Sequence, residues 1–181
     1  MTRKFIQLII LVFLIGINIY GQKTNVINFE KVYSFLNSTM INDKTEFNLS
    51  DQTDIEIFGD ITKLIFKDSL FDNEDREFIR NQISMLGKVK WQDGKIMGAN
   101  IISQKDINLV FKSRNGWDKF RKKYGGCLTN FSLPIFNKND NYCIFYNWTQ
   151  CDYLSGGGSL DLYKFENGKW IFIKSYVKGV S

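Results

Sequence analysis

Residues 159–176 hold the strongest constraint on how this chain can fold. They read Leu160-Asp161-Leu162-Tyr163-Lys164-Phe165, then Glu166-Asn167-Gly168-Lys169, then Trp170-Ile171-Phe172-Ile173-Lys174. Asn-Gly between two strand-like runs marks a two-residue hairpin, because a type I′ turn needs positive φ at both central positions. The turn places Glu166 opposite Lys169, Phe165 opposite Trp170, Tyr163 opposite Phe172, Asp161 opposite Lys174 and Ser159 opposite Tyr176. Aromatic and opposite-charge pairs across the strands favour that register over a slip. Both faces of the hairpin are rich in apolar side chains, which predicts a central place in a sheet.

A second hairpin precedes it. Residues 128–136 and 142–150 are joined by the polar turn Asn137-Lys138-Asn139-Asp140-Asn141. If Phe136 faces Tyr142, then Cys143 faces Ile135, and Cys127 falls opposite Cys151. Opposed residues of an antiparallel pair have Cα atoms about 4.5–5.5 Å apart, within reach of a disulfide. The register therefore predicts a Cys127–Cys151 bridge, with Cys143 left as a buried thiol.

Upstream, helical periodicity alternates with short extended pieces. Asn28 can cap a helix whose apolar face is Phe29, Val32, Tyr33, Leu36 and Met40. Residues 54–58 alternate polar and apolar and read as a strand, and 61–71 read as strand or irregular. Asp72 caps a helix over 73–86, with Glu74, Asp75 and Glu77 in the first turn where they complement the helix dipole. Residues 88–91, 96–103 and 108–111 look extended. Trp117, Phe120 and Tyr124 mark a short third helix, ended by Gly125-Gly126. The expected architecture is α+β: an antiparallel C-terminal sheet of about four strands, as two consecutive hairpins, packed on about three helices.

The chain has 181 residues, enough for one domain with a proper core. Its start is Met1-Thr2-Arg3-Lys4, followed by an apolar run to Ile17 and then Asn18-Ile19-Tyr20-Gly21-Gln22. A basic start, a short apolar run and a small residue at the cleavage position form a signal-peptide pattern. The run is shorter than the ~20 residues of a membrane span. Residues 1–21 are thus expected to be a signal peptide cleaved between Gly21 and Gln22. Residues 22–181 then form a single α+β domain exported to the periplasm or the extracellular space, with no stable membrane span after cleavage.

Removal of Arg3 and Lys4 leaves 22 basic residues against 19 acidic, a net charge of +3. That is too mild to point to a nucleic-acid partner. Residues 43–77 are acidic, whereas residues 112–123 concentrate Lys112, Arg114, Lys119, Arg121, Lys122 and Lys123.

The chain contains no histidine. This rules out Ser-His-Asp and Cys-His catalysis and removes the commonest zinc ligand. The three cysteines lack metal-ligand spacing. No catalytic residue, metal or cofactor is therefore expected. Gly156-Gly157-Gly158 is followed by neither a helix nor Gly-Lys-Ser/Thr, so it is not a phosphate cradle; it suits a sharp connection between strands. The candidate ligand-binding residues are Tyr142, Tyr146 and Trp148, an aromatic stripe on one strand face, with Asp152 and Tyr153 beside it. Aromatic platforms with polar handles suit flat, hydroxylated or apolar ligands. Ordinary packing of that stripe is the competing reading.

Trp117-Asp-Lys-Phe120-Arg-Lys-Lys-Tyr124, Phe131-Ser132, the 142–146 strand, the 156–158 glycines and Glu166-Asn-Gly-Lys-Trp170 resemble an uncharacterised family of small exported bacterial proteins. The resemblance covers the C-terminal third and implies no catalytic residues. A strand–Asn-Gly-Lys-Trp–strand ending behind several helices is also similar in architecture to NTF2-like proteins, though fold alone does not fix function. The first functional reading is a secreted or periplasmic, non-enzymatic module that binds a glycan, peptide or envelope component. One alternative is an NTF2-like pocket protein with Asp/Tyr acid–base chemistry. Another is a protein–protein partner acting through the basic helix around Lys119–Lys123.

Overall fold

The computed structural model describes residues 27–39, 46–54 and 58–180. The expected leader, its cleavage position and residues 55–57 of the expected 54–58 strand lie outside the described residues.

The described residues form five helices and seven strands in the order α1 (Phe29–Thr39), β1 (Phe47–Ser50), α2 (Phe58–Lys67), α3 (Asn73–Ile83), β2 (Ala99–Ile102), α4 (Gln104–Phe111), α5 (Gly116–Tyr124), β3 (Leu128–Phe131), β4 (Ile135–Phe136), β5 (Tyr142–Asp152), β6 (Ser155–Glu166) and β7 (Lys169–Val180). The strands make one mixed sheet in the order β2-β1-β3-β5-β6-β7, with the short β4 also paired to β5. The α+β class stands, but the described residues hold seven strands and five helices rather than about four and three. The added strands β1 and β2 are parallel to each other, and β1 is parallel to β3. Parallel neighbours need long crossovers. Helices α2 and α3 supply the one from β1 to β2, and α4 and α5 the one from β2 to β3.

Local signals explain the helices that the sequence revealed and those it hid. Asn28 Oδ1 accepts from the Lys31 N–H (3.1 Å), and Asp72 Oδ1 from the Asp75 N–H (2.8 Å), as N-caps do. Residues 108–111, expected to be extended, belong to α4. The Ser103 Oγ accepts from the Asp106 N–H (3.1 Å) and donates to the Asp106 carboxylate (2.6 Å), which closes the first turn. Residues 61–67, read as strand or irregular, are helical, and so is Phe58, at the end of the expected 54–58 strand. In α2 the β-branched residues yield to tertiary burial, since Ile65 is fully buried in the main core.

Both faces of the sheet are covered around β5. On one, the Phe35 ring of α1 meets Phe145 (5.5 Å), Tyr163 (5.3 Å), Trp170 (5.3 Å) and Phe136 (6.1 Å) edge-on. On the other, Phe71 meets Tyr142 at 6.0 Å, and Asp68 meets Tyr176 and Lys174 of β7. Residues 143–146 are therefore buried on both sides of β5. A smaller cluster of Ile107, Trp117 and Phe120 joins α4 and α5 to Ile102 and Leu128 of the sheet.

The turn at Asn167-Gly168 has φ of 51° and 77°, as a type I′ turn requires. Its register holds from Glu166–Lys169 to Tyr163–Phe172 and then shifts twice. Leu162 pairs with Lys174, Asp161 with Ser175, and Leu160 with Val177, not Asp161 with Lys174 or Ser159 with Tyr176. The shifts release Lys174 and Tyr176 to reach Asp68, and give Asp161 two hydroxyl donors, Ser159 and Ser175, at 2.6 Å each. The hairpin is also not central. β7 is the edge strand, and Ile171, Phe172 and Ile173 are exposed.

In the second hairpin, β3 keeps the expected register from Leu128–Gln150 to Phe131–Asn147, and Cys127 is bridged to Cys151 with Cα atoms 4.2 Å apart. Past Pro134 the pairing slips by one residue, so Phe136, not Ile135, faces Cys143. Cys143 is a buried free thiol. The glycines 156–158 lie inside β6, and the actual connection to β5 is Tyr153-Leu154. A Cβ on Gly158 would stand 2.0 Å from the Asn147 carbonyl oxygen, so the close approach of backbone at that position requires glycine.

Candidate functional site

A cleft of about 600 Å³, within the range of small-ligand sites, lies between α1 and α3. Its walls are Val32 and Lys31 from α1 and Phe78 and Gln82 from α3, and its floor is Leu133, Pro134 and Phe136. The turn 137–141 forms the third side.

Three sets of bonds hold that turn. Asp75, buried in α3, accepts from the Lys138 N–H (2.9 Å) and from the Asn137 side-chain amide (3.5 Å). Asn137 Oδ1 accepts from the N–H groups of Asn141 (3.0 Å) and Tyr142 (2.9 Å). Two ion pairs then tie the turn to both helices, Lys31 to Asp140 and Lys138 to Glu74. The Lys31 ammonium also lies 4.1 Å from the Phe136 ring centroid, a cation–π contact.

Gln82 closes the floor. Its Nε2 donates to the Phe136 carbonyl (2.6 Å) and its Oε1 accepts from the Phe136 N–H (3.1 Å). The side-chain amide thus stands in for a neighbouring strand, satisfying backbone groups that would otherwise be bare. On the same helix, Glu77 and Asn81 line the cleft with exposed side chains that make no hydrogen bond or ion pair to the described residues. The ion pairs neutralise four of the five lining charges, leaving the Glu77 carboxylate as the unbalanced one. A ligand group with positive charge, next to an apolar group for the floor, is the chemistry this arrangement takes.

The residues singled out in the sequence lie elsewhere. Tyr146 is 8% exposed and belongs to the main core, and Tyr142 and Trp148 are half-buried against it. Tyr146 is thus core packing, while Tyr142 and Trp148 keep part of their surface exposed. Asp152 and Tyr153 line neither this cleft nor the second cavity described below. The Tyr153 hydroxyl donates to the Arg114 carbonyl (2.8 Å), and Asp152 pairs with Arg121 (3.0 Å). The Tyr153 N–H and then the Arg121 guanidinium hold the Asp152 carboxyl below its usual range, so it is ionised at neutral pH. Burial pushes the Cys143 thiol well above its ordinary value. In the basic run, Arg121 is tied to Asp118 and Asp152, whereas Lys119 and Lys122 are exposed.

No metal-binding group of three or more His, Cys, Asp or Glu exists among the described residues, and no described helix is long and apolar enough to cross a membrane. No family model, curated protein or solved structure matches this chain.

Proposed function

We propose that this protein is an exported binding module that holds a peptide or other envelope component in the cleft between α1 and α3. The observation that carries the reading is the cleft's composition: an apolar floor of Leu133, Pro134 and Phe136 beneath the unpaired Glu77 carboxylate and the Asn81 amide. A peptide segment with a basic group beside an apolar side chain matches both parts, and the doubly anchored 137–141 turn keeps the site preorganised. Binding rather than turnover is the role such a site fills, as its ordered polar groups orient a ligand. The Cys127–Cys151 bridge supports export to an oxidising compartment, the periplasm or the extracellular space, and the signal-peptide pattern of residues 1–21 supports cleavage between Gly21 and Gln22.

The test is retention of envelope-derived peptides on the immobilised mature protein. Glu77→Lys should reduce retention of basic peptides about tenfold, the worth of one lost charge-assisted contact. Equal retention by wild type and variant would remove the cleft from the account.

A further inference from the structure

A second cavity, of about 470 Å³, opens at the N-terminal ends of β1 and β3, beside the disulfide. Its lining differs in kind from that of the cleft. The polar side chains are Asn48, Asn100, Thr129 and Thr149, and the only charged one is Glu46. Phe47 supplies apolar surface, and Tyr124 adds a ring that packs on Phe120 (5.1 Å) with Lys123 over one face (4.8 Å). We propose that this cavity is a binding site for a neutral saccharide.

The argument rests on how the polar groups are held. Asn48 Nδ2 donates to the carbonyls of Gly125 (2.7 Å) and Cys127 (3.1 Å), and its Oδ1 accepts from Asn100 Nδ2 (2.8 Å). Both Asn48 Nδ2 hydrogens are thereby used, and its Oδ1 fixes the Asn100 amide in one orientation. Asn100 keeps its carbonyl oxygen and second N–H for a ligand. The Thr129 and Thr149 hydroxyls lie 3.0 Å apart across β3 and β5. One hydrogen bridges them, which leaves the second hydroxyl hydrogen and the remaining lone pairs available. The cavity thus offers both donors and acceptors to vicinal sugar hydroxyls, each of which is itself both donor and acceptor. Because the groups are already ordered, little rotamer entropy is lost on binding. Gly125 and Gly126 border the cavity, and a Cβ on either would meet no atom within 4 Å, so no side chain obstructs access there. The Glu46 carboxylate disfavours anionic sugars and accepts hydrogen bonds from neutral ones.

The site is independent of the cleft, and its test separates the two. Amide NMR of the mature protein is titrated with cellobiose, maltose and N,N′-diacetylchitobiose, each to about 20 mM, which covers millimolar affinities. At least one sugar should shift the Asn100, Gly126 and Thr149 amides saturably, and glucuronic acid should not. Thr149→Val, which keeps the branched shape and removes the hydroxyl, should weaken that binding about tenfold. Asn100→Ala, at an exposed position, should do the same if Thr149→Val disturbs folding. Glu77→Lys in the cleft should leave the titration unchanged. No shift with any of the neutral sugars, shifts confined to α1 and α3, or full affinity in both variants would overturn the assignment.

Discussion

The Tyr176 hydroxyl donates a 2.7 Å hydrogen bond to the Asp68 carboxylate, joining the last strand to the end of α2 across 108 residues of sequence. Lys174 Nζ reaches the same carboxylate at 2.5 Å, and the Asp68 side chain is only 6% exposed. Burial alone would raise the Asp68 pKa, but the bonds from Lys174, Tyr176 and the Leu70 N–H outweigh it and hold the carboxyl below its ordinary 3.8. Burial and then the Asp68 bond hold the Tyr176 phenol well above its usual range. Because the folded Asp68 pKa is depressed, its contribution to stability is complete above about pH 4 and is lost as pH falls through the folded value. Tyr176→Phe should cost about 1.5–3 kcal/mol at pH 7, as for a hydrogen bond to a charged group. Urea unfolding of both proteins should show that gap narrowing below pH 4; a gap that is constant with pH would disprove the link to the carboxylate.

The disulfide closes a segment of 24 residues that spans the second hairpin. Replacing Cys127 and Cys151 together by Ala should lower stability by about 2–4 kcal/mol. Peptide mapping without reduction should recover the Cys127–Cys151 pair. Cys143 should resist alkylation until the protein unfolds, since it is fully buried.

Neighbouring glycines in β6 should respond to substitution very differently. A Cβ at Gly158 would strike the backbone of Asn147 and Trp148 at 2.0–2.9 Å, whereas at Gly157 the nearest atom is 3.4 Å away. Gly158→Ala should cost about 1–3 kcal/mol, the usual range for overpacking, or more where the backbone has to move. Gly157→Ala should stay within about 0.5 kcal/mol. Thermal unfolding of the two variants checks the contrast.

Gln82 should matter to both fold and cleft. Gln82→Leu leaves the Phe136 N–H and carbonyl without their partner, at a cost of about 1–3 kcal/mol. Hydrogen exchange at Phe136 should accelerate in the variant; unchanged protection would show that another group satisfies the edge.

The sequence disclosed what local chemistry decides. Asn167-Gly168 announced the turn and the pairs nearest it, and the cysteine pairing followed because β3 and β5 keep one register from Phe131 back to Cys127. It failed where tertiary contacts intervene. The bulges near Asp161 and Leu162 arise as Lys174 and Tyr176 turn to Asp68, a residue of another layer. The cleft was hidden for the same reason. Lys31 stands on α1 and Glu77 and Asn81 on α3, and the 137–141 turn, bonded to both helices, brings them into one site. Their local signal was slight: Glu77 and Asn81 stand at i, i+4 on one helix face beside the apolar Phe78.

The cleft reading is tested most directly by a photo-crosslinking residue, p-benzoylphenylalanine, introduced at Phe78 in the full chain and irradiated in intact cells. Phe78 lines the cleft, whereas Leu154, 88% exposed on the β5–β6 turn, does not and serves as control. The account predicts a discrete peptide-containing adduct from position 78 that is absent from position 154 and is lost when Glu77→Lys is added. No adduct at position 78, or the same adducts from both positions, would contradict it.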